Sequence, residues 1–330
     1  MNKHFLNYIK ILILCALCMV SLCACTKDAE NVNLTAPKIL ATGFPQYDFA
    51  RAVCGSDANI KMIIRPGSDT HSFEPSLSDI VAIEEADVFI YNGGESDVWV
   101  NKILSGLKNK DLKIISFMQT EGVRLYEEAP NFHSHGCEDK GHTHSTDGLS
   151  QRYDEHLWVS PKNSIVLIKE ISKLLSEVNP SMASYYEKNA DGYIERLEAI
   201  HSELSGISKK QTKKLIAVAD GFPFLYLAKD YGFDYMALFS ACSSEGDAGP
   251  KHIADMVEEM NEHSVSNVFH IELSNKKMAQ VVSEKTGAKI LMLHSCQNVS
   301  KAEFESGISC ADLMEQNIKN LKEALLRCPL

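Results

Sequence analysis

Short apolar runs alternate with stretches of helical period from Lys38 onward, and this alternation constrains the fold more than any other feature of the chain. The runs at Lys38–Phe44, Asn59–Pro66, Ala86–Gly94 and Leu112–Phe117 read as strands. Between them, Pro45–Val53, Ser76–Glu85 and Asp97–Leu107 carry helical spacing, with Ser76 as N-cap and Asp79 in the first turn. Strands separated by helices of this length predict parallel β-α-β units. The pattern restarts after Lys209, with strands at Lys214–Asp220, Phe233–Ser240, Val265–Glu272 and Ala288–His294. Helices are expected at Pro223–Tyr231, Lys251–Glu262, Asn275–Thr286 and Asp312–Leu326.

Between the two series, Ser160 stands before Pro161 as an N-cap with proline at the first helical position. Ile165, Ile168, Ile171, Leu174, Leu175 and Val178 follow at helical spacing. Asn179-Pro180 marks a break or kink, and Met182–Leu204 resumes the period, as one long helix or two in series. The expected fold class is therefore α/β: two lobes with mainly parallel sheets, joined by a long rigid helix, with a site in the cleft between them. No sequence repeat is strong enough to mark the lobes as a duplication.

The chain start sets the compartment. Lys3 and His4 precede an apolar run from Ile9 to Leu22, too short for a comfortable membrane span, which ends in Leu22-Cys23-Ala24-Cys25. This is the pattern of a lipoprotein signal, with lipid attachment expected at Cys25. Residues 1–24 read as signal peptide, 25–37 as a polar tether, 38–159 as the first lobe, 160–208 as the connector helix and 209–330 as the second lobe. The body is then extracytoplasmic and held at a membrane by lipid. A formal net charge of −11 over 330 residues excludes nucleic acid as a natural partner and suits attraction of cations. Seven cysteines follow the signal, from Cys25 to Cys328, with no C-x-x-C pair among them. They read mostly as small buried hydrophobes.

In parallel α/β sheets ligands sit at the carboxyl ends of strands. His71 follows the second strand in "PGSDTHSFEP", a loop stiffened by Pro66 and Pro75. His156 in "YDEHLWVSP" precedes the connector, Asp220 in "VADGFPF" ends the first strand of the second lobe, and His294 in "LMLHSCQN" ends its last strand. Each has a plainer reading: a solvated corner, a turn residue, a polar strand end. Glu245, Glu272 and Cys296 lie nearby in sequence order, Glu272 with the plainer reading of a buried salt-bridge partner. Their convergence on one edge of both sheets is what points to a site. Within Arg124–Arg152, His133, His135, His142 and His144 form two H-x-H pairs around Cys137, Glu138 and Asp139. Imidazole and carboxylate together suit Zn²⁺ and other first-row metals, and the irregular spacing suits a low-affinity collecting role.

With these residues assembled, the chain resembles the solute-binding lipoproteins of zinc/manganese-type ABC importers, the ZnuA/TroA-like family. "RPGSDTHSFEPSLSDIVAIEEADVFIYNGGESDVWV" resembles the first-lobe signature, whose histidine is a metal ligand, here His71. "YDEHLWVSPKNS" resembles the second, giving His156. "HIELSNKKMAQVVSEKTGAKILML" and "LMEQNIKNLKEAL" resemble the second lobe, and a histidine-rich loop is typical of the zinc-handling branch. The family commonly places His or Glu in the segment that here reads "ADGFPFLYLAKDYG", and many members use an Asp in the final loop, where this chain has His294-Ser295-Cys296-Gln297. Asp220 and His294 are the expected second-lobe ligands, with Glu245 and Cys296 behind them. The resemblance implies a monomeric, non-enzymatic protein that captures Zn²⁺, with Mn²⁺ the alternative, and hands it to an ABC permease driven by its ATPase subunit. It also implies small lobe movements. A secreted zinc hydrolase is the rival enzyme reading, against which no H-E-x-x-H motif appears. A surface adhesin, functioning in cell adhesion, is the rival interaction reading.

Overall fold

Runs rich in Ile, Val and Phe form strands because their branched and aromatic side chains pack on a pleated surface buried on both faces. The computed structural model describes residues 36–55, 59–68, 70, 72–128, 152–210, 214–239 and 249–326. In the first lobe the strands are β1 (Ile39–Ala41), β2 (Ile60–Met62), β3 (Val88–Tyr91) and β4 (Lys113–Ser116). In the second they are β5 (Leu215–Val218), β6 (Asp234–Ala237), β7 (Asn267–His270) and β8 (Lys289–Met292). Both sheets are parallel throughout, in orders β2-β1-β3-β4 and β6-β5-β7-β8. The lobes thus share one topology without a legible sequence repeat. In each, strand order reverses between the first and third strands, the switch point where such sheets open a crevice at their carboxyl ends.

The first-lobe helices are α1 (Phe44–Cys54), α2 (Leu77–Glu84) and α3 (Val98–Gly106). Ser76 caps α2 as expected: its hydroxyl accepts from Asp79 N–H while the Asp79 carboxylate accepts from Ser76 N–H. An isolated antiparallel bridge, Glu127 to Tyr153, with Glu128 N–H donating to Arg152 O at 2.9 Å, pins both ends of the segment between them.

The middle of the chain carries the expected long helix, with a second helix packed against it. Helix α4 (Pro161–Val178), capped by Ser160, ends at Asn179, passes a 3-10 turn at Pro180–Met182 and continues into α5 (Ala183–Lys210). The two helices fold back on each other rather than running end to end. Pro180 cannot extend the first helix, and folding back buries two apolar stripes in one step. Leu167, Ile168, Ile171 and Leu175 of α4 and Tyr186, Ala190, Leu197 and Leu204 of α5 are all buried.

The second lobe adds α6 (Leu225–Tyr231), α7 (Pro250–Glu262), α8 (Lys277–Thr286), α9 (Lys301–Glu305) and α10 (Cys310–Leu326). Residues Pro37–Leu330 form one compact unit. One apolar core runs from Ile39, Val88 and Phe117 through α4 and α5 to Ile216, Phe269 and Leu321. Smaller clusters cover the outer face of each sheet, around Phe89 in the first lobe and Met256 in the second. A polar knot joins the lobes at the back. Buried Asp48 of α1 accepts from Tyr193 O–H at 2.7 Å, Cys310 N–H at 2.8 Å and Arg51 at 2.6 Å. Among the described residues, no helix is long and apolar enough to cross a membrane.

Candidate metal centre

His156 sits where the pinned segment turns into the 3-10 turn Leu157–Val159, and it is fully buried. Its ring is oriented by Asp154. One carboxylate oxygen, Oδ1, accepts from His156 N–H at 2.8 Å and from Nδ1–H at 3.2 Å. Such a carboxylate fixes the tautomer and directs Nε2 outward as the metal-binding nitrogen. Burial alone would lower the imidazole pKa, but the adjoining Asp154 carboxylate outweighs it and holds His156 above its ordinary value. The preceding residue is clamped as well. The Glu155 carboxylate accepts from Glu95 N–H and from Ser96 N–H at 3.0 Å, and Glu155 O accepts from Asn92 Nδ2 at 3.0 Å, just beyond β3. Gly94 makes this possible: it has φ +83°, and a Cβ there would lie 2.6 Å from a Glu155 oxygen.

The second lobe reaches this turn at three points and the loop after β2 beside it. Trp158 Nε1–H donates to Ser295 O at 2.9 Å, and Tyr226 O–H donates to Asp154 O at 2.6 Å. The Gln297 carboxamide lies 3.3 Å from His156 Nε2 and contacts Thr70 Oγ1 at 2.6 Å. Asn298 accepts from Gly67 N–H at 3.2 Å and donates to Ser68 O. Loop residues 295–298 therefore hold both His156 and the segment that leads to His71.

Beyond the second-lobe switch point stand Asp220, after β5, and His270, the last residue of β7. Ala219 N–H donates to Phe269 O at 2.8 Å, so the two strand ends are adjacent. Asp220 accepts from Gly221 N–H at 3.1 Å. His270 Nδ1–H donates to Ile271 O at 2.7 Å, which leaves Nε2 as the ring's acceptor. Burial pushes its pKa down and so favours the neutral imidazole.

His294 has different surroundings. Its Nδ1 accepts from Cys296 N–H at 2.9 Å, and its backbone is gripped on both sides by Asn317 at 2.7 Å. Nε2 has no hydrogen-bond partner among the described residues, and the ring borders a cavity of ≈ 10 Å³ lined by Val159, Leu204, Phe224, Leu227 and Met314. Glu272 accepts from Ser295 N–H at 2.8 Å and from its hydroxyl. Cys296 is buried, its Sγ directed at Cys310 O at 3.8 Å.

Among the described residues, no three His, Cys, Asp or Glu side chains form a group that could hold one ion. Neither His156, Asp220, His294 and Cys296 nor His156, Asp220 and His270 are thus drawn together as a set. His71, Glu245, the loop histidines His133, His135, His142 and His144, and the lipid-attachment residue Cys25 lie outside the described residues. Three residues escape a reading of local sequence. Asp154 signals itself only by standing two residues before His156, His270 only by ending an apolar run, and Gln297 by nothing local.

Residues 39–324 match the family described as zinc-uptake complex component A, periplasmic. The chain is 30% identical over 316 residues to the zinc-binding lipoprotein AdcA of Streptococcus pneumoniae, a match that covers 94% of this chain and 60% of AdcA. It is 26% identical over 315 residues to the high-affinity zinc uptake system protein ZnuA of Bacillus subtilis, covering 94% of this chain and 96% of that one. In three dimensions it resembles the Zn(II)-bound ZnuA-like domain of S. pneumoniae AdcA, with TM-score 0.71 and 27% identity, over 88% of this chain and all of that domain, 100%. The chain spans 60% of the length of pneumococcal AdcA. With the family match running from the first strand to the last helix, the chain belongs to the zinc-uptake complex component A family.

Proposed function

We propose that this protein is an extracytoplasmic binding protein, not an enzyme, that captures Zn²⁺ and delivers it to the permease and ATPase of an ABC importer. The observation that carries the reading is His156: buried at the seam of the lobes, with Nδ1 tied to a carboxylate and Nε2 turned to the second lobe. That is how a metal-binding imidazole is prepared. The relatives support the cargo, since the pneumococcal and Bacillus proteins are named for zinc binding and zinc uptake.

His71 and His156 serve as the first-lobe ligands in this proposal. Asp220 and His270, adjacent at the second-lobe switch point, complete the proposed set. His270 takes the place expected for His294, whose Nδ1 is already engaged by Cys296 N–H and whose ring borders a small, largely apolar cavity. Three imidazoles and one carboxylate suit tetrahedral Zn²⁺ better than Mn²⁺, which prefers a more oxygen-rich set. Lipid on Cys25 keeps the protein at the membrane near its permease, and the loop histidines collect the ion at lower affinity. Zinc titration of the purified protein against a chromophoric chelator tests the reading. His156→Ala, Asp220→Asn and His270→Ala each lose tight binding, and His294→Ala keeps it. Retention of full affinity by His156→Ala would sink the proposal.

A further inference from the structure

The nitrogen that His156 offers to a metal is the one that Gln297 touches. The Gln297 carboxamide lies 3.3 Å from His156 Nε2 and 2.6 Å from Thr70 Oγ1, bridging both walls of the cleft. Whichever end of the carboxamide faces the ring, Nε2 is engaged: its N–H donates to the amide oxygen, or its lone pair accepts from the amide N–H₂. A cation cannot share that nitrogen with either contact.

The loop is built so that only this side chain need move. Cys296 holds φ +60°, a left-handed conformation that costs a non-glycine residue and persists only where neighbours enforce it. The enforcing contacts are Ser295 N–H to Glu272 at 2.8 Å, Cys296 N–H to His294 Nδ1 at 2.9 Å and Gln297 N–H to Ser295 Oγ at 3.1 Å. The next residue grips the first lobe by its backbone: Asn298 accepts from Gly67 N–H and donates to Ser68 O. Asn298 is the anchor, and Gln297 projects its carboxamide from the same held backbone.

We propose that Gln297 is an internal competitor for the cargo. Its carboxamide guards the His156 nitrogen and must swing off for a cation to bind. It can retake that nitrogen when the ion leaves. The inference rests on the reading that His156 is a ligand.

The test is zinc binding and stopped-flow association for the full chain, its Gln297→Ala, Gln297→Met and Thr70→Val variants, and His156→Ala. Losing one hydrogen bond of ordinary net worth corresponds to about three- to tenfold tighter zinc binding in both Gln297 variants. The gain appears as faster association, because the contact exists only before the ion arrives. Thr70→Val, which removes the outer end of the bridge, moves in the same direction by less. Gln297→Met keeps the side chain's length, so a folding defect confined to the alanine variant leaves the answer intact. Weaker or unchanged binding in Gln297→Met, with His156→Ala inactive, overturns the competitor role and leaves the site reading standing. Full binding by His156→Ala overturns both.

Discussion

Asp154→Asn separates the two jobs that one carboxylate does. In the wild type, Asp154 Oδ1 accepts from both the backbone N–H and the Nδ1–H of His156, with both side chains buried. Asparagine keeps the shape and one acceptor oxygen but removes the charge. Outer-shell partners of this kind are worth about 10- to 100-fold in metal affinity, and a charge-assisted hydrogen bond about 1.5–3 kcal/mol, so the two scales agree. The carboxylate also favours the proton, because it raises the His156 pKa above its ordinary value. Zinc needs the deprotonated nitrogen, so wild-type affinity falls as pH drops through that raised pKa, by about tenfold per unit once below it. The variant, with a lower His156 pKa, begins to fall later. The affinity gap between the two is therefore full in mildly alkaline solution and narrows on acidification. Stability of the metal-free protein runs the opposite way. A raised folded pKa contributes stability that is complete below the unfolded value of about 6.5 and is lost as pH rises through the folded pKa. The variant's folding deficit is thus largest in acid, where its binding deficit is smallest. Chelator-competition titrations and urea melts from about pH 6 to about pH 8.5, bracketing the histidine range, read both trends. A binding gap that widens on acidification, or that is absent in alkaline solution, refutes the reasoning.

Three further substitutions test the frame around the site. Tyr193→Phe removes the hydroxyl that donates to Asp48 and accepts from Ala311 N–H at 3.1 Å; urea denaturation should show a loss of about 1–3 kcal/mol, with zinc affinity unchanged. Gly94→Ala places a methyl group against the Glu155 carboxylate at a backbone with φ +83°; it should cost about 1–3 kcal/mol in a thermal melt and also weaken zinc binding, since Glu155 precedes His156. Trp158→Phe leaves the buried Ser295 carbonyl without its donor, for a loss of about 1–3 kcal/mol in urea.

Much of the fold was legible because it is local. The Ile- and Val-rich runs became strands, and the Ser76 and Ser160-Pro161 caps start helices where the spacing placed them. Asn179-Pro180 was legible as an interruption but not as a reversal. A stripe of apolar residues records that a helix packs, not on what, and only the shared core shows α4 and α5 pairing with each other. The equal topology of the lobes left no trace in residue identity, because strand order is set by where elements fall and how they pack. His294 shows the limit most clearly. A histidine at the end of β8 reads as a cleft residue, yet the left-handed turn at Cys296 commits its Nδ1 to the local backbone. Gln297 and Thr70 are 227 residues apart in sequence, and no local pattern announces such a contact.

The seam between the lobes also limits how a cation gets in. Leu157, Trp158, Phe224 and Tyr226 are all buried there, in the same core that runs through α5. Burying one such side chain contributes about 1.5–3 kcal/mol, so a hinge that exposed several would cost an amount comparable with the whole stability of a domain, about 5–15 kcal/mol. The Asp48 knot adds buried polar groups that opening would strip of partners. Wide closure that exposed this core would thus be costly. What remains free to rearrange is polar and small: the Gln297 carboxamide, the Thr70 hydroxyl, and the backbone clasp of Asn298 on Gly67 and Ser68. A metal ion needs no more room than that. Under the zinc-binding proposal, capture by exchange of side-chain partners at fixed lobe positions is the mechanism that suits this core, and the second-lobe loop 294–298 is then the element to test for control of how fast the ion comes and goes.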